Sequence, residues 1–280
     1  MLLIIGVTLL TGCSAIKLAY NQAPDLTYWW LDGYFDFNEQ QTPRVRDELT
    51  RLFAWHRANE LPKTADLLAQ TSQLMAGEVS AAQACRIYDQ GRGLLDNITQ
   101  QVLPLMGELA PTITPSQLEH LKRKYAKNSE EFSRDFIQGS TASREAKRLK
   151  QTIERSENFY GKLEEPQIAA IKLALSGSIF DAPFALKERQ RRQKELLDIL
   201  SGLADSKASP ATSQHALRGY IQRVWESPDL AYRAYMQRLT TQACQSFASI
   251  HASTNATQRA YAAKVFKGYE MDLRTLAAAR

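Results

Sequence analysis

A chain of 280 residues with 44% hydrophobic content can bury one sizeable core or two small ones, and 13 Gly and 10 Pro are too few for a collagen-like or disordered chain. Thirty-five basic against 30 acidic side chains leave a net charge of +5 spread along the sequence. That balance favours a salt-bridged surface over a dedicated polyanion face, and no nucleic-acid partner is expected.

The chain opens on an uncharged apolar run, Met1 to Leu10, which leads into Thr11-Gly12-Cys13 and Ser14. The run is shorter than the ~20 residues a membrane-spanning helix needs, so residues 1–12 read as a signal segment. Leu10-Thr11-Gly12-Cys13 resembles the lipobox of bacterial lipoproteins, in which small residues precede a cysteine that becomes the lipid attachment point. The resemblance implies acylation at Cys13, with several acyl chains, because one holds a membrane only marginally. It also implies, through Ser14, sorting to the outer membrane with the protein facing the periplasm. No basic residue precedes Lys17, which points to a start a few codons upstream of Met1.

Residues 13–36 follow as a lipidated tether and an aromatic segment. Ile16 to Pro24 reads as a tether ending in a turn, and Tyr28 to Phe37 holds six aromatic residues in ten. Those rings are expected to pack under a helical body in preference to forming an interfacial belt. Cys13, Tyr20-Asn-Gln-Ala-Pro24, Trp29-Trp30-Leu-Asp-Gly-Tyr34 and Phe37-Asn-Glu-Gln-Gln41 together resemble a family of uncharacterised proteobacterial lipoproteins. That resemblance implies a location and a fold and assigns no functional residue.

Residues 37–280 form the expected helical domain. One pattern recurs along it: a polar cap with Gln three places later, at Asn38/Gln41, Ser80/Gln83, Thr114/Gln117, Glu164/Gln167 and Asn255/Gln258. These are capping boxes, in which the cap side chain accepts from the N3 amide and the Gln reaches back to the cap amide. Helical periodicity follows, as in Leu118, Leu121, Tyr125, Phe132 and Phe136, or Tyr261, Val265, Tyr269, Leu273 and Leu276. Further helices are predicted over 44–59, 63–76, 184–200, 214–225 and 230–250. Breaks are predicted at Pro62, from Pro104 to Pro115, around Gly177 to Pro183, and from Ser201 to Pro210. No alternating strand pattern appears. The expected fold is all-α, an antiparallel multi-helix bundle or an elongated helical domain.

Catalytic chemistry is sparse. His56, His120, His215 and His251 lack zinc-ligand spacing, and no phosphate loop or Gly-x-Ser-x-Gly occurs, so neither metal nor cofactor is expected. Cys85 and Cys244 remain as a pair that an oxidising periplasm would join in a disulfide, or that would stay as two buried thiols. Lys187 to Lys194 carries five basic residues in eight. Arg189, Arg191 and Arg192 either line a solvated helix face or bind anionic envelope groups. Thr114-Pro-Ser-Gln117 resembles the Leu-Thr-x-x-Gln motif of periplasmic chaperones of the Spy and CpxP type. The expectation is a lipid-anchored periplasmic protein that binds or scaffolds at the cell envelope without catalysis. Its partners would be the membrane, through the anchor, and an envelope protein or anionic polymer. A client-binding chaperone is the alternative, and an envelope hydrolase stands behind it.

Overall fold

The five capping boxes each open a helix. In the computed structural model, which describes residues 13–279, Ser80, Thr114 and Asn255 accept from the backbone N–H of Gln83, Gln117 and Gln258, and each Gln returns to the cap amide. Asn38 does the same for Gln41, with the helix proper starting at Gln41. At Glu164 the returning bond, Glu164 N–H to Gln167 Oε1, measures 2.8 Å. The apolar segment 1–12 and the Cys13 side chain lie outside the described residues.

The order is α1 (Cys13–Asn21), α2 (Ala23–Phe35), α3 (Gln41–Asn59), α4 (Leu61–Met75) and α5 (Ala81–Leu109), then a 3₁₀ turn at Ala110–Thr112. It continues through α6 (Pro115–Phe136), α7 (Thr141–Tyr160), α8 (Glu165–Ser176), α9 (Ala182–Asp205), α10 (Pro210–Trp225), α11 (Leu230–Ala252) and α12 (Ala256–Ala278). There is no strand among the described residues, and the chain is an all-α, multi-helix protein.

Helix α5 is the spine. Its 29 residues extend about 43 Å at 1.5 Å per residue. Near its start, Cys85 is joined to Cys244 of α11. Near its end, Gly107 lets α10 approach so closely that an added methyl would stand 2.8 Å from Pro210 O. Around the first part, Met75, Tyr160, Leu163, Ile171 and Ala262 form one buried cluster. Around the second, Leu103, Leu121, Leu200 and Leu217 form another, with Tyr28, Val45 and Leu49 as a smaller third beneath α2. Burial of these apolar faces is the dominant stabilising term, since few of the helices would persist alone in water.

The caps meet in two reciprocal pairs, one beside each large cluster. Gln41 Nε2 donates to Thr112 O and Gln117 Nε2 to Asp36 O, each two residues before the other's cap. Gln167 Nε2 donates to Ser253 O and Gln258 Nε2 to Lys162 O, again two residues before the other's cap. All four glutamines are buried.

Three expectations are corrected. Residues 16–24 are not a loose tether: α1 lies against α12 and α3, with Lys17 Nζ 3.3 Å from Asp272 and Tyr20 Oη 2.8 Å from His56 Nδ1. Pro104 does not break its helix but sits inside α5. It and Gln100 face solvent, where water can satisfy the carbonyl that Pro leaves without a donor. The break predicted from Ser201 also starts later, after Asp205. α9 runs on through buried Leu203 and ends in a Schellman turn with Lys207 left-handed (φ 47°), Ala208 N–H donating to Leu203 O and Lys207 N–H to Ala204 O.

The aromatic segment packs under the helical body only in part. Tyr28 is buried and Phe35 and Phe37 stack at 5.7 Å, while Trp29 and Trp30 face outward.

Candidate functional site

Helices α4, α5, α11 and α12 leave an open groove of about 620 Å³ between them. On α5, Ala84, Ile87, Tyr88 and Gly91 follow the i, i+3, i+4, i+7 spacing of one face. On α11, Leu239, Ala243 and Phe247 keep a matching stripe. Small residues at 84, 91 and 243 hold the two walls apart where larger side chains would have filled the gap. No charged side chain lines the groove, and Thr71, whose hydroxyl could have supplied a donor, turns it back to Leu67 O at 2.8 Å.

Such a wall can desolvate an apolar group and little else. A groove of this size suits an acyl chain or a run of apolar side chains, and specificity would come from shape. Tyr88, half-exposed, brings the one phenol to it. A second cavity, of about 310 Å³, lies among Phe35, Phe37, Leu105 and Leu196 and is equally apolar.

The disulfide closes one side of the groove. Cys85 and Cys244 have Cα atoms 5.5 Å apart, the usual reach of such a bridge, and Cys244 contributes to the groove wall. Beneath it, His251 is buried between Tyr160 and Gly77. Its Nε2 lies 2.7 Å from Gly77 O, which can only accept, so Nε2 carries the proton and Nδ1 accepts from Tyr160 Oη at 3.0 Å. Burial pushes the imidazole below its ordinary pKa, against the opposing hydrogen bond to Gly77. Burial likewise pushes the Tyr160 phenol well up.

Two of the three arginines of the charge run are held by carboxylates of α9 itself, and the third turns to α6. Arg191 reaches Glu188 with Nε at 2.8 Å and Glu195 with Nη1 at 2.5 Å. Arg192 Nε takes the other oxygen of Glu188 at 2.8 Å, while Arg189 lies over the Phe132 ring of α6. Arg223 of α10 completes the network on Glu195. Glu188 is buried, which pushes its carboxyl up, but the hydrogen bonds from Arg191 and Arg192 outweigh that and hold it below the ordinary carboxylate range. Arg191 and Arg192 are therefore engaged within the fold, and Arg191 ties α9 to α10 through Arg223 O.

Thr114 and Gln117 stand in the first reciprocal cap pair, with Gln117 fully engaged by Thr114 N, Asp36 O and Gln41. Among the described residues no three His, Cys, Asp or Glu side chains form a metal-holding group. The groove itself was not read from the sequence. Its stripes on α4 and α11 have the spacing of ordinary core faces, and Gly91 within an apolar stripe is the one residue that departs from it.

The described family of unknown function DUF6279 matches residues 33–228, from within α2 to the loop after α10. No curated protein and no solved structure matches the chain.

Proposed function

The chain belongs to the DUF6279 family, whose function is unknown, and from the apolar leader ending in Leu10-Thr11-Gly12-Cys13 we propose that it is a lipid-anchored protein of the cell envelope, held at Cys13 and facing the periplasm, that acts by binding and not by catalysis. The observation that carries the binding is the charge-free groove between α4, α5 and α11, open to solvent beside a disulfide. Its occupant would be an apolar segment of an envelope protein. A disulfide favours an oxidising compartment, in keeping with export through a signal segment. A helix that begins at Cys13 and rests on α12 would hold the groove at a set height above the lipid.

The groove also supports the second reading, a chaperone-like client binder, because an uncharged apolar wall accepts many sequences. Anionic envelope polymer is a weaker partner, since Arg191 and Arg192 are already paired.

Two measurements test the proposal. Intact mass and membrane fractionation of wild type beside Cys13→Ala read the anchor; an unacylated, soluble wild type would remove it. Gly91→Phe reads the groove, because a Cβ at 91 meets nothing within 4 Å and a ring built on it projects into the groove. Crosslinking to an envelope protein should fall in Gly91→Phe at unchanged thermal stability. An unchanged crosslinking pattern would show that the groove is not the binding surface. Suppression of aggregation of a denatured client at stoichiometric ratio, lost in Gly91→Phe, would favour the chaperone.

A further inference from the structure

The outer side of α1 and α2 exposes large apolar side chains in a row: Leu18 is 66% exposed, Leu26 49%, and Trp29 and Trp30 61% each. They share one face because the helical ladder hardly breaks between the two helices. Gln22 N–H donates to Leu18 O and Leu26 N–H to Gln22 O, so positions 18, 22, 26, 29, 30 and 33 follow the spacing of a single stripe. The other face carries Tyr28, Leu31 and Phe35 into the protein. The stripe is thus an addition to the core-forming face and not a continuation of it.

The charge beside the stripe is mainly basic. Asp25, the acidic residue nearest to it on α2, is neutralised by Arg46 at 2.6 Å. Alongside, α6 carries His120, Arg123, Lys124 and Lys127, spaced 3, 1 and 3 along one side of the helix, with Glu131 next on that side. That this face meets α2 is fixed by His120 Nε2 on Gly33 O at 3.3 Å, Lys124 Nζ over the Tyr34 ring at 5.3 Å, and Asn128 Nδ2 on Tyr34 Oη at 2.9 Å. Trp30 in turn packs on Tyr34 at 4.9 Å.

We propose that this face rests in the headgroup–acyl boundary of an anionic bilayer, with Trp29, Trp30, Leu26 and Leu18 inserted and Arg123, Lys124 and Lys127 against lipid phosphates. Tryptophan favours that zone because its ring is apolar and its N–H is not. An apolar stripe bordered by cations is the signature of a helix lying in the interface plane, and juxtamembrane Lys and Arg add attraction to anionic lipid. A second copy stacked antiparallel on the face would bring the two basic rows together. The inference extends the anchored reading by fixing which face meets lipid, and it does not require the acyl chain.

The test uses the full chain, as purified from the cells that make it, mixed with phosphatidylglycerol and phosphatidylethanolamine vesicles brominated near the top of their acyl chains. Tryptophan quenching is compared between Trp29→Phe/Trp30→Phe and Trp55→Phe/Trp225→Phe, with circular dichroism to verify the fold of each. Quenching should persist in the second variant and be lost in the first. Flotation with the vesicles without quenching in the second variant, or no flotation at all, would overturn the inference. So would a stable dimer in solution that Trp29→Phe/Trp30→Phe dissociates. Intact mass reads acylation separately: quenching through Trp29 and Trp30 in an unacylated chain would end the anchor and leave this face standing.

Discussion

Gln117 Nε2 lies 2.7 Å from Gln41 Oε1, and both carboxamides are buried with their remaining bonds made. Each oxygen holds its own helix cap while each nitrogen holds the loop before the other's cap, so α3 and α6 start as one unit. Truncating Gln117→Ala would leave Thr114 N–H, Asp36 O and Gln41 Oε1 without that partner, at a cost of about 3 kcal/mol. Because the two side chains are bonded to each other, Gln41→Ala/Gln117→Ala should cost less than the sum of the single changes. Denaturant midpoints of the four proteins measure this; a strictly additive cycle would show that the two caps stand independently.

Two glycines of α5 should respond to alanine with opposite signs. At Gly107 a methyl would press on Pro210 O and Gln214, and overpacking of a backbone contact costs about 2 kcal/mol. At Gly91 nothing lies within 4 Å, and the gain in helix propensity stabilises by about 1 kcal/mol at most. Thermal unfolding of Gly107→Ala and Gly91→Ala checks both. A stabilised Gly107→Ala would mean that α5 and α10 cross more loosely than described.

His251 and His56 make the protein sensitive to acid. Burial lowers the pKa of both imidazoles below the ordinary 6.5, against Glu60 in the case of His56. The unfolded chain therefore binds protons before the folded one does. The stability these groups contribute is complete above their ordinary pKa and is lost as the pH falls from there toward the folded values. Unfolding midpoints measured from about pH 7.5 to pH 5.5 should fall for wild type. His251→Gln, compared with itself across the same range, should show a shallower slope. An identical slope would place the titration elsewhere.

The disulfide closes a loop between positions 159 apart, and in the chain-entropy model reducing it costs the folded state about 5 kcal/mol. Cys85→Ala/Cys244→Ala, or wild type under reductant, should unfold at a distinctly lower temperature than the oxidised protein. Equal midpoints would mean that the bond is absent in solution.

Helix starts were legible in the sequence because a capping box is a local device: Asn38, Ser80, Thr114, Glu164 and Asn255 each carry their partner three residues on. What Gln41, Gln117, Gln167 and Gln258 do with their nitrogens was not legible, because those bonds go to loops 71, 81, 86 and 96 residues away. Pro104 misled for a related reason. Whether a proline breaks a helix depends on which side its orphaned carbonyl faces, and that is set by tertiary packing. Residues 16–24 looked like a tether because their polar and apolar side chains suggest no core. Yet Lys17, Tyr20 and Asn21 each find a partner on α12 or α3. In the charge run, the sequence shows Arg191 and Arg192 but not that Glu188 and Glu195 of the same helix hold them.

The packing of α12 along α4, where Ser72 Oγ donates to Ala263 O across 191 positions, has a consequence for how the chain is made. The face of α4 that carries buried Leu61, Ala65 and Met75 can be sealed only after α12 has been synthesised. At ribosomal rates of about 5–20 residues per second, the interval between the two helices lasts roughly 10–40 s. Throughout that time the nascent chain carries a greasy strip awaiting its cover, which makes α4 the segment on which a holding factor would act and where premature association would begin.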